Sequence, residues 1–340
     1  MNPLLQHLVE ITGHRDHARL EISVISALHQ LGNVKEVRAL EVVTIGEETF
    51  VRPKAWISDG SLQSIEDPQH AEIPRLPLMA YPALAACIAD KSAGREERSD
   101  SGEYELWLPV WLQEKVVACL EIRNDQPFAQ DTLNVIHGIF HVYRNYQSLL
   151  DYSERDALTG LFNRKTFDAE FSRPSHAPGG HGTSTEIDPD SPRHWLAVVD
   201  IDHFKQVNDR FGHLYGDEVL ILMANLLRAS FRAQDRIFRF GGEEFVILLR
   251  SATLATARQI FNRFRQAVEN HDFPQVGRVT VSLGFVSTYE GSAVEILGHA
   301  DQALYYAKEH GRNQVCHYDE LIGSGQLKKQ TQAHDEVELF

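Results

Sequence analysis

The 340-residue sequence is poor in cysteine, lacks any long apolar run and carries no excess of positive charge. Its three cysteines, Cys87, Cys119 and Cys316, are widely spaced and form no CxxC or Cys/His pairing. That excludes a disulfide framework and a zinc site, and points to a reducing compartment. No stretch approaches the roughly 18 apolar residues of a membrane-spanning helix, and the start, MNPLLQHLVEITGHRDH, lacks a basic segment followed by an apolar one. A soluble, cytoplasmic protein with no membrane span is expected. With 33 Lys+Arg against 48 Asp+Glu the net charge is −15, which argues against nucleic acid as a partner held by the overall field. No repeat of about 20–50 residues occurs, so solenoids and propellers are set aside. What remains is ordinary globular material, 43% hydrophobic and 24% charged, in a length that suits two domains.

In the first half, Leu4, Leu8, Ile11, Leu20, Val24, Ala27, Leu28 and Leu31 recur at helical spacing, and Gly32-Asn33 closes that segment. The period then changes: Val37–Ile45 and Phe50–Ile57 read as a strand pair around Gly46-Glu47-Glu48-Thr49. A proline-punctuated stretch precedes an apolar helical segment, Leu78–Ala89, and Glu103–Leu112 with Lys115–Arg123 forms a second strand pair. This order suits an antiparallel-sheet α+β domain. From 128 to about 155 the pattern is helical, with one seam through Leu133, Ile136, Phe140, Tyr143, Gln147 and Leu150. A second runs through Val135, Ile139, Val142, Tyr146 and Leu149. Two seams predict a helix that packs on its own domain and also meets a partner; a helix packed on its own domain alone is the simpler alternative.

Residues 172–194 are rich in Pro, Gly, Ser, Thr and His and read as a flexible insertion. Beyond it, strands and helices alternate through residue 317, which implies one sheet covered by helices. The strand WLAVVDID (Trp195–Asp202) ends in two carboxylates at alternate positions. A hard cation would compensate them there, and so would the capping of a following helix. In RFGGEEF (Arg239–Phe245) the Gly-Gly supplies a hairpin turn and a platform without side chains beside Glu243 and Glu244. That is either a ligand platform or a solvated tip. Lys308 and Arg312, four apart, are expected on one face of a helix end, as cations favoured by the helix dipole or as contacts to phosphate. His137 and His141 share the i, i+4 spacing of helical metal sites but lack a third ligand, so packed or solvent-facing histidines are expected.

Taken together, DALTGLFNR (156–164), DIDHFKQVNDRFGHLYGD (200–217), RFGGEEF (239–245), VTVSLGF (279–285) and ADQALYYAKEHGRNQV (300–315) occur in the order seen in GGDEF-domain diguanylate cyclases. The resemblance covers about residues 151–318. It implies that GTP molecules on two facing domains condense into cyclic di-GMP and pyrophosphate, so that a homodimer is part of the mechanism. It implies Mg²⁺ or Mn²⁺, two ions per GTP half-site, with Asp200, Glu243 and the Ile201 carbonyl as ligands. Glu244 becomes a further metal contact or proton acceptor. Backbone N–H groups near His203 and Phe204 would meet phosphate, Asn208 and Asp217 the guanine edge, and Lys308 and Arg312 the triphosphate. Asp217 favours GTP over ATP, and Asp156 with Arg164 would tie the linker helix to the catalytic body.

Arg232-Ala-Gln-Asp235, five residues ahead of the Gly-Gly turn, matches the family's inhibitory product site, with Arg263 as an additional contact. Residues 1–150 resemble a GAF-type sensor domain in element order, with a ligand or partner that the sequence does not identify. The expected architecture is mixed α+β and α/β. A GAF-like domain (1–127) is followed by a connecting helix (128–155), a GGDEF, nucleotidyl-cyclase-like domain with a central sheet surrounded by helices (156–320), and a polar tail (321–340). A catalytically silent receptor for GTP or cyclic di-GMP is the competing reading. Such receptors usually lose the acidic turn or the first aspartate, and both are present here.

Overall fold

The computed structural model describes residues 11–13, 17–31, 34–45, 48–58, 60–65, 73–112, 114–171, 191–232, 234–289 and 291–328. Residues 1–10 of the expected first helix, 172–190 of the expected insertion and 329–340 of the expected tail lie outside them. The chain divides after Ser153 into two compact units.

In the first unit, α1 (His17–His29) buries Leu20, Val24 and Leu28. Strands β1 (Glu36–Ile45) and β2 (Glu48–Ser58) pair antiparallel, with Val42 opposite Val51. Short β3 (Ser61–Ser64) and β4 (Leu76–Pro77) both pair with β2. A 3₁₀ turn (Leu78–Ala80) leads into α2 (Pro82–Ala89), which opens on a proline whose missing N–H costs nothing there. Strands β5 (Arg95–Arg98), β6 (Tyr104–Leu112) and β7 (Lys115–Asn124) complete an antiparallel sheet of order β3-β2-β1-β7-β6-β5. Alternation along each strand sorts the side chains. Ala39, Leu108 and Leu120 face α1 and the long helix α3 (Gln130–Glu154), whereas Leu40, Trp107 and Cys119 pack with Leu84 and Cys87 of α2.

The two seams of α3 are not separated as expected. Ile136, Phe140, Tyr143, Gln147 and Leu150 are buried, but so is Ile139, and Val135, Val142 and Tyr146 pack against the same core. The stripes are adjacent on a helix of period 3.6, and the sheet with α1 is broad enough to cover both. Only the far end of the second seam is open, with Leu149 62% and its neighbour Tyr152 74% exposed.

The second unit begins with β8 (Phe162–Asn163) and α4 (Arg164–Phe171). Strand β9 starts at Arg193 and ends at Ile201, so Arg193 and His194 belong to the strand rather than to the insertion. Helices α5 (Phe204–Phe211) and α6 (His213–Ser230) lead to the hairpin β10 (Arg236–Gly241) and β11 (Glu244–Ala252). Then come α7 (Leu254–Glu269), the small ribbon β12 (Asp272–Phe273) and β13 (Gly277–Arg278), β14 (Val281–Ser287), α8 (Ala293–Glu309), β15 (Val315–His317) and α9 (Tyr318–Gly323). The sheet order is β15-β14-β9-β11-β10-β8. Tyr318 and Leu321 of α9 are buried, so ordered structure continues past the expected start of the tail at 321. Among the described residues no helix is long and apolar enough to cross a membrane.

Alternation again positions the chemistry. Trp195, Ala197, Val199 and Ile201 of β9 pack under α5–α7, and Leu196 and Val198 pack on the α8 side. Asp200 therefore falls on the α8 side of the central strand, at its end. Glu244 is the β11 residue opposite it.

Candidate active site

The hairpin that carries the two glutamates turns at Gly241 (φ 153°) and Gly242 (φ 51°), and a Cβ at either position would meet nothing within 4 Å. The expected platform without side chains is therefore open. Arg239 fixes it from behind: its Nε and Nη2 donate to the Gly242 carbonyl at 3.2 and 2.9 Å, and its Nη1 donates to Asp156 Oδ1 at 2.9 Å. Burial alone would raise the Asp156 pKa, but hydrogen bonds from Thr159 and Arg239 hold it below its usual value. The partner of Asp156 is thus Arg239. Arg164, expected to act with Asp156, lies with its guanidinium over the Phe240 ring.

Asp200 is 4% exposed, and Lys308 Nζ lies 2.8 Å from its Oδ2. Burial raises the Asp200 pKa against the pull of Lys308, aided by the charges of Asp202 and Asp301. Glu243 is raised by burial and by Asp200 and Glu244, and Glu244 by burial and by Asp200 and Asp301. The structure therefore brings Asp200, Glu243, Glu244 and Lys308 together at one rim of the sheet. It adds Asp301, a carboxylate that sequence reasoning missed. Asp301 stands seven residues before Lys308, a spacing that returns to the same helix face and could have flagged it.

This donor set is all hard oxygen, mutually repelling and partly desolvated, which is the chemistry that a divalent cation relieves. Among the described residues no three His, Cys, Asp or Glu side chains converge on one point. Ions of the Mg²⁺ type are commonly held by one or two carboxylates together with substrate phosphates, so the carboxylates present fit such an ion.

Asp202, which shares Asp200's parity, is not available to a cation. It accepts from Thr280 Oγ1 and Ser282 Oγ, each at 2.7 Å, and from the Asn313 N–H at 3.0 Å. Its role is to join the end of β9 to β14 and to the loop after α8. His203 adopts φ 59°, a left-handed turn that lets the chain leave β9 and start α5 at Phe204. The first N–H groups of such a helix have no intrahelical partner. Ile201, the last residue of β9, is buried. Asn208 lies in α5 over Gly216, where an added Cβ would stand 2.0 Å from Asn208 Oδ1. Asp217, exposed on α6, follows that glycine directly, so the two candidate guanine contacts are neighbours.

Arg312 is not on the face of α8. The helix ends at Glu309, Gly311 takes φ 108°, and the Arg312 N–H returns to the Ala307 carbonyl at 3.0 Å, a glycine-dependent helix stop. Arg312 itself has φ 59° and sits in the turn beyond. In the RxxD segment, Asp235 is buried, and its oxygens accept the N–H groups of Arg232 at 2.9 Å and Arg250 at 3.1 Å. Arg232 is exposed. Arg263 Nη2 donates to the Ser230 carbonyl at 2.8 Å, two residues before Arg232, so the two arginines lie near one another while Asp235 is turned inward.

A strand-end aspartate facing a Gly-Gly-Glu-Glu hairpin, with a lysine across from it, defines a catalytic unit of the GGDEF class. The family model described as diguanylate cyclase, GGDEF domain, matches residues 153–314. Diguanylate cyclase VdcA of Vibrio cholerae is 36% identical over 241 residues, 68% of this chain and 67% of that protein. Diguanylate cyclase DgcM of Escherichia coli is 38% identical over 185 residues, 54% of this chain and 43% of that protein. A solved structure of the coiled coil and GGDEF domain of DgcB from Caulobacter crescentus, in complex with c-di-GMP, is similar at 27% identity. Its TM-score is 0.49, over 55% of this chain and 97% of that one. The chain belongs to the GGDEF-domain diguanylate cyclase family. It spans two thirds of VdcA and less than half of DgcM.

Proposed function

We propose that the chain condenses two molecules of GTP into cyclic di-GMP and two of pyrophosphate, each catalytic unit of a homodimer contributing one GTP. The observation that supports this most is the set of Asp200, Glu243 and Glu244 at the sheet rim with Lys308 at 2.8 Å from Asp200. Asp200, Glu243 and the Ile201 carbonyl would hold Mg²⁺ or Mn²⁺, two per GTP half-site, which when bound would neutralise triphosphate charge and acidify the ribose 3′-hydroxyl. Each 3′-oxygen attacks the α-phosphorus of the opposite GTP, its proton passes to a carboxylate oxygen of Glu244, and pyrophosphate leaves. N–H groups at His203 and Phe204 receive phosphate, and Lys308 and Arg312 balance its charge. Asn208 and Asp217 read guanine: a carboxylate accepts from both N1–H and N2–H₂, a pair that adenine lacks.

Incubation with GTP and Mg²⁺, followed by mass analysis, tests the reading. Cyclic di-GMP and pyrophosphate are expected in a 1:2 ratio, with ATP untouched and specific rate rising with protein concentration through dimerisation. Unchanged GTP, with nucleotide stripped beforehand and the dimer demonstrated, would favour a silent receptor.

The first unit is a GAF-like sensor in this reading, in keeping with its antiparallel sheet flanked by α2 on one face and by α1 and α3 on the other. Arg232, Asp235 and Arg263 form the product-inhibition site. Here the two halves of the motif separate. Arg232→Ala is expected to weaken inhibition by about tenfold, the loss of one charge-assisted contact, without changing the melting temperature. Asp235→Ala should weaken inhibition and also cost about 1–3 kcal/mol, because it strands two backbone N–H groups. An unchanged inhibition curve for Arg232→Ala would remove the site.

A further inference from the structure

Strand β6 lies between β7 and the edge strand β5, and it outruns β5. β5 pairs with it from Tyr104 to Trp107 only, so Pro109 and Trp111 lie on a stretch that pairs with β7 alone and is open on its other side, where a proline is tolerated. Between that stretch and α3 is a cavity of about 390 Å³, within the ordinary range for small-molecule sites. Its cationic lining comes from two places, Lys91 after α2 and Arg144 of α3. Among the described residues neither side chain has a hydrogen-bond or ion-pair partner, in a chain whose net charge is −15. Lys91 holds φ 50°, a left-handed position just past a helix end where glycine is the usual occupant. An L-residue there is strained, and strain of this kind concentrates at binding sites.

The apolar wall is equally fixed. Trp111 Nε1 donates to the Ser92 carbonyl at 3.2 Å, which sets the indole plane while leaving the ring half-buried at the cavity. His137 and His141, expected to be packed or solvent-facing rather than metal ligands, present two imidazoles from α3 to the same space. Imidazole donates or accepts as needed, and among the described residues no carboxylate is placed to complete a metal set with them. Glu114 is the one acid of the lining. Two free cations, a fixed aromatic face and two imidazoles select a planar anion.

We propose that this cavity binds a small aromatic or heteroaromatic carboxylate-type anion, its ring against Trp111 and its charge shared by Lys91 and Arg144. The site lies wholly within the first unit and is read by binding alone, so its failure is independent of the cyclase reading.

Calorimetric titration of the full chain with 2-naphthoate tests it, with 2-naphthylmethylamine as the cation of matching shape. Saturable binding of one naphthoate per chain is expected, with the amine at least about tenfold weaker. Arg144→Gln and Lys91→Gln should each weaken naphthoate about fivefold, Trp111→Leu about tenfold, and Glu114→Gln should strengthen it. Inorganic phosphate in place of naphthoate reports the charge alone, and it should bind more weakly and be indifferent to Trp111→Leu. Absence of saturable binding, equal binding of the amine, or naphthoate affinity unmoved by both Arg144→Gln and Lys91→Gln would each overturn the proposal.

Discussion

Glu243→Gln protein is expected to form cyclic di-GMP at least about 10³-fold more slowly than the unaltered chain, yet to melt at a higher temperature in metal-free buffer. The substitution keeps the size of the side chain and removes its charge. The hairpin itself should hold, because Arg239 grips the Gly242 carbonyl without help from Glu243. The gain in stability follows from the site's electrostatics. Burial and the charges of Asp200 and Glu244 raise the Glu243 pKa. A carboxyl raised in the folded chain adds stability below its unfolded pKa and loses it as pH rises through the folded value. The ionised Glu243 is therefore a cost at neutral pH, and the advantage of Gln should shrink as pH falls into the carboxylate range. Initial rates and thermal melts at neutral and mildly acidic pH check both halves. Turnover near the parent rate would refute the role assigned to Glu243.

Gly284→Ala is expected to destabilise the catalytic unit by about 3 kcal/mol or more, a fall of roughly 6–12 °C in melting temperature. A Cβ at this position of β14 would stand 2.1 Å from both the Ala300 carbonyl oxygen and the Leu304 N–H nitrogen, and 2.7 Å from the Ala303 carbonyl carbon. All three atoms are backbone of α8, so no side chain can rotate away. The helix must retreat, and Lys308, one turn beyond Leu304, retreats with it from Asp200. Activity should fall along with stability. Gly298→Ala is the matched control on the same helix. Nothing lies within 4 Å of a Cβ there, and alanine should be neutral or stabilising by about 0.5–1 kcal/mol. Identical melting of Gly284→Ala and the parent would show that α8 is not seated on this glycine.

Much of the site is readable in sequence because it is local. The Gly-Gly-Glu-Glu hairpin and the end of β9 each lie within a few residues, whereas the pairing that sets Asp200 opposite Glu244 comes from the register between β9 and β11. What escaped depends on distant partners. Asp202 looks like a second metal carboxylate until Thr280, Ser282 and Asn313 arrive from 78, 80 and 111 residues away. Arg312 looks like a helical neighbour of Lys308 at four-residue spacing, but Gly311 between them lies past the end of the helix. Strands β3, SLQS, and β5, REER, carry no apolar pattern, and their existence rests on pairing with β2 and β6. The second seam of α3 illustrates the opposite limit: period alone reveals an apolar stripe but not the width of the surface that receives it.

The contact between Lys308 and Asp200 makes the resting protein its own competitor. One ammonium group cannot neutralise Asp200 and a triphosphate at the same time. In the proposed reaction nucleotide draws Lys308 away, which leaves Asp200 without a counter-charge in a buried position and raises its affinity for a cation. Because such coupling is reciprocal, each of the two proposed ligands, nucleotide and divalent ion, is expected to raise the apparent affinity for the other. Replacing Lys308 by a neutral residue should uncouple the two.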